Sequence, residues 1–402
     1  MRVLNLSMLY PPMILGGAEK SVALLSEALR AEGHTVAAAC ITPDDKSVEE
    51  RNGVRVYRMP HETDFWPEEW PQHSTLERGW RRFKQQFNYK LEAHFGEVID
   101  DFRPDIINTH SLVDVSTRVW VAAASRNIPI VHTLRDYDLA CGNAAMFKSG
   151  HRCQSRHLKC RVFTYKKYDH HHLVSAVVGV GSEILSNHVS MGYFGHVPQD
   201  LRRVIWNAAV VDGLDAAYTK PALEGDITFG YLGRINVEKG VMTLIDACKR
   251  LPHSGWRLVV AGKPPADMEK FVTAAAGLPI SFPGFIAPRA FFDQIDCLIV
   301  PSIWPEPLPR TILESYAAGV PSIGARSGGI PDLIGADNGD WLFEPDNAAE
   351  LAGKMMGVIT AGREKLPGRA DFSAVLSETT PQLVARRYQA LYDEVLRSRA
   401  GL

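Results

Sequence analysis

The sequence predicts an α/β protein made of two Rossmann-like, doubly wound domains. Short apolar, β-branched runs alternate with segments of helical period along the whole chain, the pattern of β-α-β units that build parallel sheets. The pattern starts afresh at ITFGYLGRINVEKG, with strand, glycine turn and helix in succession. A length of 402 residues is too great for one ordinary core, so two domains of roughly 200 residues are expected.

Bulk properties exclude several classes. The chain is 46% hydrophobic and 22% charged, as in water-soluble globular proteins, and its net charge of −2 gives no reason to expect nucleic acid as a partner. No run of about 18 apolar residues is present to span a membrane. The start, MRVLNLSMLYPP, reads as a strand broken by two prolines rather than a secretory signal. A cytoplasmic protein is therefore expected, and six cysteines in this length fit a reducing compartment.

In the first half, Arg2–Met8 reads as a strand and Ala18–Ala31 as its helix. Between them, Gly16 and Gly17 open a turn where a phosphate or sugar could approach backbone N–H groups. Thr35–Ile41 and Val54–Met59 read as further strands. Residues 65–90 break the pattern with Trp66, Trp70, Trp80 and a basic cluster. This segment reads as a domain-packing helix with a solvated basic edge, and peripheral membrane contact is the alternative. DIINTH and IPIVHTLRDY read as buried strands whose ends carry His110 and His132. Next, Cys141, Cys153, His157 and Cys160, with C-x(3)-H-x(2)-C as the close cluster, form a candidate structural zinc set. Because the spacing is not one of the standard zinc-finger patterns, an ordinary loop with reactive or half-buried thiols is the competing reading.

In the second half, Thr228–Leu232 reads as a strand, Gly233 as its turn and Val241–Leu251 as a helix. Arg234 and Lys239 lie in the turn, where two cations can neutralise a diphosphate leaving group. WRLVVAG and ISFPGFI follow as strands. Cys297–Val300 then reads as a buried strand, and Glu306, between Pro305 and Pro307, as a loop residue. Pro309 suits a helix start, Ile312, Leu313, Tyr316 and Ala317 keep helical spacing, and Gly319 ends it. Glu314 thus lies inside that helix. The free N–H groups around Leu308 to Thr311 would face an anion, and Gly328-Gly329 offers a second bare-backbone approach. WLFEPDN supplies a last strand and turn, and Gln382–Leu396 an amphipathic terminal helix.

Glu306 and Glu314, set as E-x(7)-E in EPLPRTILE and followed by AAGVP and GGIPD, resemble the family-4 retaining glycosyltransferases of the GT-B fold. So do GGAE at 16–19, GRINVEKG at 233–240 and VAG at 260–262, all in the expected order. The resemblance implies two Rossmann-like domains facing each other across a cleft. Residues 1–208 would bind the acceptor, 209–380 the nucleotide sugar, and the helix in 381–402 would cross back to the first domain. The implied reaction is transfer from a UDP- or GDP-linked sugar to a glycan or lipid-linked acceptor, with retention and no cofactor required for catalysis. Surface polysaccharide or glycolipid synthesis at the inner membrane face is the implied setting.

The resemblance also implies roles. Gly16 and Gly17 line the cleft, and His132, with His110 and Asp136 as neighbours of the same kind, approaches the donor sugar. Phe285 and Ile286 meet the base, and Glu314 the ribose hydroxyls. Glu306 lies beside the sugar. Leu308, Pro309, Arg310 and Thr311, with Gly233, Arg234 and Lys239, hold the diphosphate. Alanine at Arg234 or Lys239 is expected to cut turnover with little unfolding. A GT-B sugar-nucleotide epimerase and a non-catalytic sugar-nucleotide-binding subunit are the competing readings. A dehydrogenase is disfavoured because no GxGxxG follows a strand with an acid downstream.

Overall fold

The computed structural model describes residues 1–211, 214 and 218–400. Residues 212, 213, 215–217, 401 and 402, which belong to the expected second domain and terminal segment, lie outside the described residues. The chain divides into two compact units. One comprises Met1–Met146, Cys153–Ala208 and Pro381–Leu402; the other comprises Phe147–Arg152 and Ala209–Thr380.

The first unit holds an eight-stranded sheet in the order β10-β9-β6-β5-β1-β2-β4-β3. Its strands are β1 (Arg2–Leu6), β2 (Thr35–Thr42), β3 (Ser47–Arg51), β4 (Val54–Pro60), β5 (Ile106–Thr109), β6 (Ile130–Leu134), β9 (Ala176–Gly179) and β10 (Arg202–Val204). All neighbours are parallel except β3 and β4. Apart from Arg2 at the start of β1, the central strands are buried along their length, as helices on both faces require. A short hairpin, β7 (Phe147–Lys148) with β8 (His151–Arg152), is grouped with the second unit.

The Pro381–Ala400 helix belongs to the first unit and packs beside the Gly17–Ala31 helix. Its Tyr388 and Tyr392 are buried, and both hydroxyls find partners in the sheet. Asn108 Nδ2 donates to Tyr392 Oη at 2.7 Å, and Thr133 Oγ1 lies 3.3 Å from Tyr388 Oη. Satisfied hydroxyls let two large rings enter the core without stranding polar atoms.

The second unit holds a six-stranded parallel sheet in the order β13-β12-β11-β14-β15-β16. The strands are β11 (Ile227–Leu232), β12 (Trp256–Ala261), β13 (Ile280–Gly284), β14 (Cys297–Val300), β15 (Ser322–Ala325) and β16 (Leu342–Phe343). The winding direction reverses between β11 and β14. In open parallel sheets such a switch point leaves a crevice at the carboxyl ends of the two central strands. The loops carrying Arg234, Lys239 and Glu306 leave from those two strands.

Candidate functional site

The site of the second unit is made by three loops tied to one another through their backbones. After β11 the chain runs through Gly233 and Arg234 to Gly240, which precedes the Val241–Cys248 helix. After β14 it runs from Pro301 to Pro309, ahead of the Arg310–Ala317 helix. The amides of Ile303 and Trp304 donate to Glu238 O at 2.9 and 3.1 Å, joining the two loops. The third loop follows β15: Ser327 Oγ donates to Trp304 O at 2.7 Å, and Gly329 N donates to Glu306 O at 2.7 Å.

Gly328 has a φ of 60°, and a Cβ there would come 1.9 Å from Glu306 O. The di-glycine therefore packs on the main chain of the Glu306 loop. This corrects its reading as bare backbone open to a ligand. What approaches it is protein, and its role is to hold Glu306 in place.

Glu306 is largely buried and has two partners. Lys239 Nζ donates to Oε1 at 2.5 Å, and Ser302 Oγ donates to Oε2 at 2.7 Å. Burial by itself would raise the carboxyl's pKa; the Lys239 charge and hydrogen bond, then Ser302 and the Arg234 charge, outweigh it and hold the group below its ordinary 4.5. A depressed carboxyl stabilises the fold above its unfolded pKa and loses that contribution as pH falls through the folded value. Removing the ammonium in Lys239→Met is therefore expected to lower stability near neutrality. The stability of variant and wild type should draw together as pH falls from the ordinary carboxyl range through the depressed folded value, and converge once the carboxyl is protonated in both folded and unfolded chains. Denaturant midpoints measured across pH check this.

Arg234 is exposed, and its carbonyl accepts a 2.5 Å hydrogen bond from Tyr231 Oη, which pins the turn. The Lys239 ammonium also sits 5.2 Å from the Trp304 ring centroid. Trp304 Nε1 is buried and has no hydrogen-bond partner among the described residues. Ser302 and Trp304 escape sequence reasoning; their only signal is a position between strand β14 and Glu306.

The Arg310–Ala317 helix has no side-chain cap at its start, so its first-turn amides keep their affinity for an anion. Arg310 Nη2 lies 3.5 Å from Glu314 Oε1, one turn on. Leu308 and Pro309 are buried, and Arg310 and Thr311 half-buried. Phe285 follows directly on β13 and is 80% exposed, with Ile286 half-buried beside it. The second unit thus gathers Gly233, Arg234, Lys239, Glu306, the helix start and Glu314 at the loop ends of β11 and β14.

Gly16, Gly17 and His132 belong to the first unit. Gly16 N donates to Glu19 Oε2 at 3.1 Å, and Gly17 is the first helical residue. Glu19 therefore caps this helix. The structure corrects the placement of His132. It lies in the middle of β6, not at its end, and is 3% exposed. Its ring meets Trp120 edge-on, and Nδ1 is 2.9 Å from Thr109 Oγ1. Burial, then the nearby His188, drives its pKa down to about 3, so the ring stays neutral.

Such a residue packs against Trp120 and Thr109, and its 3% exposure leaves little ring surface for a ligand. His132→Ala is expected to cost about 2–4 kcal/mol through the cavity it leaves, with turnover per folded molecule unchanged. Denaturant titration and initial rates check this.

The residues that do follow strand ends are His110, after β5, and Arg135 and Asp136, after β6. Arg135 Nε donates to His110 Nδ1 at 3.2 Å, and Ser111 Oγ donates to Asp136 at 2.5 Å. Burial, then Asp138, lifts Asp136 to about 6.

The candidate zinc set is also corrected. Among the described residues, no group of three or more His, Cys, Asp or Glu side chains is placed to hold a metal ion. Cys141 is buried with the Cys160 thiol beside it, whereas His157 is exposed at the start of the Leu158–Phe163 helix. Ligand residue types are present and two of the thiols meet, but the set of four does not converge.

Known proteins agree with this architecture. Residues 16–179 match the glycosyl transferase 4-like domain, and residues 218–370 match glycosyl transferases group 1. An uncharacterized 42.6 kDa protein in the cps region of Klebsiella pneumoniae is 26% identical over 338 residues, 83% of this chain and 87% of that one. Sucrose-phosphate synthase from Thermosynechococcus elongatus superposes with a TM-score of 0.73 at 18% identity, over 99% of this chain and 100% of that one. Anabaena HepE in complex with UDP-glucose superposes with a TM-score of 0.63 at 17% identity, over the whole of both chains. With both of its Rossmann-like halves matched in order, the chain belongs to the group 1 glycosyltransferases and has the GT-B fold.

Proposed function

We propose that this glycosyltransferase moves a sugar from a UDP- or GDP-linked donor to a hydroxyl of a glycan or lipid-linked acceptor, with retention of anomeric configuration. The observation that carries the reading is the Lys239–Glu306 pair, with Arg234 beside it, at the switch point of the second sheet. Departure of the diphosphate is the hard step. Cations fixed where that charge develops lower its barrier without reorganising.

Glu306 occupies one of the three ammonium protons of Lys239, and the two others remain for phosphate oxygens. In this account Glu306 is a positioning residue, acting through Lys239. The uncapped helix start at Arg310 and Thr311 adds amide donors, and Glu314 accepts from the ribose hydroxyls. Phe285 offers an apolar face to the base.

In the reaction, the bond from the anomeric carbon to the diphosphate oxygen breaks. The acceptor oxygen forms its bond to the same face of that carbon, and its proton passes to the departing diphosphate. The HepE complex with UDP-glucose and the cps-region relative support a nucleotide-sugar donor and a polysaccharide setting.

The test is incubation with candidate donors, with and without glycan acceptors, followed by NMR of the product's anomeric signal. Acceptor-dependent release of diphosphate with an unchanged anomeric configuration supports the reading. A changed sugar on an intact diphosphate, formed from donor alone, would mark an epimerase. Inversion would overturn the front-face route.

A further inference from the structure

The Thr75–Gln85 helix of the first unit is folded inside out. Its buried face is polar. Arg81 pairs with Asp114 and donates to Phe65 O at 2.9 Å, and Gln85 Nε2 donates to Val113 O at 3.2 Å. Its outer face is apolar: Leu76, Trp80 and Phe83, spaced i, i+4 and i+7, share one side and point to solvent. Leu76 is 85% and Trp80 59% exposed. The sequence reading of this segment as a domain-packing helix with a solvated basic edge fails at Trp80, while Trp66, ahead of the helix, is buried.

A second stripe lies alongside. The Leu158–Phe163 helix contacts the first, and the Phe163 ring sits over Gly79. Leu158, 77% exposed, and Val162 stand one turn apart on it, and Tyr165 opens the next helix, Tyr165–His170; all three are exposed. Six large apolar side chains on three neighbouring helices form a patch rather than scattered exposure.

Its surroundings are largely basic, apart from Glu77, which is exposed beside Leu76 and closes the helix start with Ser74. No Asp or Glu stands between Glu77 and Glu92, or between Leu139 and Asp169, although the whole chain has a net charge of −2. Lys159 and Arg161 flank Leu158 and Val162 without an ion pair among the described residues, and Arg82 donates to the neutral Asn143, with Asp114 and Asp138 within electrostatic reach. Lys84 and Lys166 do have acidic neighbours, Asp64 and Asp169.

We infer that this face docks on a lipid bilayer bearing anionic headgroups. Leu, Trp and Phe side chains enter the headgroup–acyl boundary while flanking cations meet lipid phosphates. Nucleic acid or an acidic glycan would match the cations but leave Leu76 and Leu158 in water. A second copy would bring like charges together. No helix among the described residues is long and apolar enough to cross a membrane, so the contact is peripheral. It does not rest on the transferase reading, and the readout needs no sugar.

The test is co-sedimentation of the full chain with vesicles of phosphatidylcholine, alone or mixed with phosphatidylglycerol. The wild type is expected to partition at least about tenfold better onto the mixed vesicles, and less as salt rises. Each cation lost should lower partition about fivefold, so Lys159→Glu/Arg161→Glu should remove most of the preference. Leu76→Ser/Trp80→Ser should lower partition about tenfold or more.

All four residues are exposed, so denaturation midpoints should not move. Partition equal on neutral and anionic vesicles, or unchanged in both variants, overturns the inference. So does a wild-type dimer that Leu76→Ser/Trp80→Ser dissolves, because the patch is then a self-interface.

Discussion

Lys239→Ala is expected to lower turnover by about 10²–10³-fold, the usual loss when one preorganised charge stabiliser is removed, and to destabilise the protein as well. The second effect follows from the pair geometry. Without the ammonium 2.5 Å away, the Glu306 carboxylate keeps only Ser302 in a largely buried setting. Breaking a fully buried pair costs about 3–5 kcal/mol, and partial exposure of both side chains brings that to about 2–4 kcal/mol. This differs from the expectation of little unfolding that spacing alone suggests.

Lys239→Ala/Glu306→Gln separates the two effects, because a neutral amide is cheaper to leave unpaired. It should regain most of the stability and none of the turnover. Rates measured beside denaturant titrations decide; normal turnover in Lys239→Ala would remove the residue from the reaction.

Arg234→Ala is expected to give the opposite balance. Arg234 is exposed, and the turn is held by a hydrogen bond to its carbonyl, which alanine keeps. Stability should stay within about 0.5 kcal/mol of wild type. Turnover should still fall about 10²-fold, because the guanidinium's work is done on the diphosphate. A Lys at this position keeps the charge and loses the bidentate fork, so its activity should be intermediate. An Arg234→Ala enzyme with normal rates and normal donor affinity would leave the anion site to Lys239 and the helix start alone.

Much of this was legible in the chain because parallel strands are written as continuous apolar runs. β1, β2, β4, β11 and β14 lie where Arg2–Met8, Thr35–Ile41, Val54–Met59, Thr228–Leu232 and Cys297–Val300 are expected. β3 was not legible. SVEER is polar and wholly exposed, an antiparallel edge strand with no hydrophobic face to read.

His132 was misplaced for a related reason. IPIVHTL stays apolar around the histidine, and a strand buried on both faces carries no alternation to mark its end. The loop residues at the site divide the same way. Proline and glycine fix where Glu306 and Glu314 fall along the chain. That Glu306 pairs with Lys239, 67 residues earlier, depends on two strands becoming neighbours at the switch point. Gly328-Gly329 announces a close approach, yet no local pattern says that the approaching atom is Glu306 O. The Trp80 face shows the converse limit: the helical period was readable, and the direction it faces was not.

The central claim is that the loops after β11 and β14 form a diphosphate site. Calorimetric titration with a nucleoside and its diphosphate, for the uridine and guanosine series, into wild type and Arg234→Ala tests it most directly. The account predicts that for one base the diphosphate binds the wild type about a hundredfold more tightly than the nucleoside, about 2.7 kcal/mol, and that Arg234→Ala loses most of that difference. Equal affinity for nucleoside and diphosphate in the wild type, or a preference that Arg234→Ala leaves intact, would contradict it.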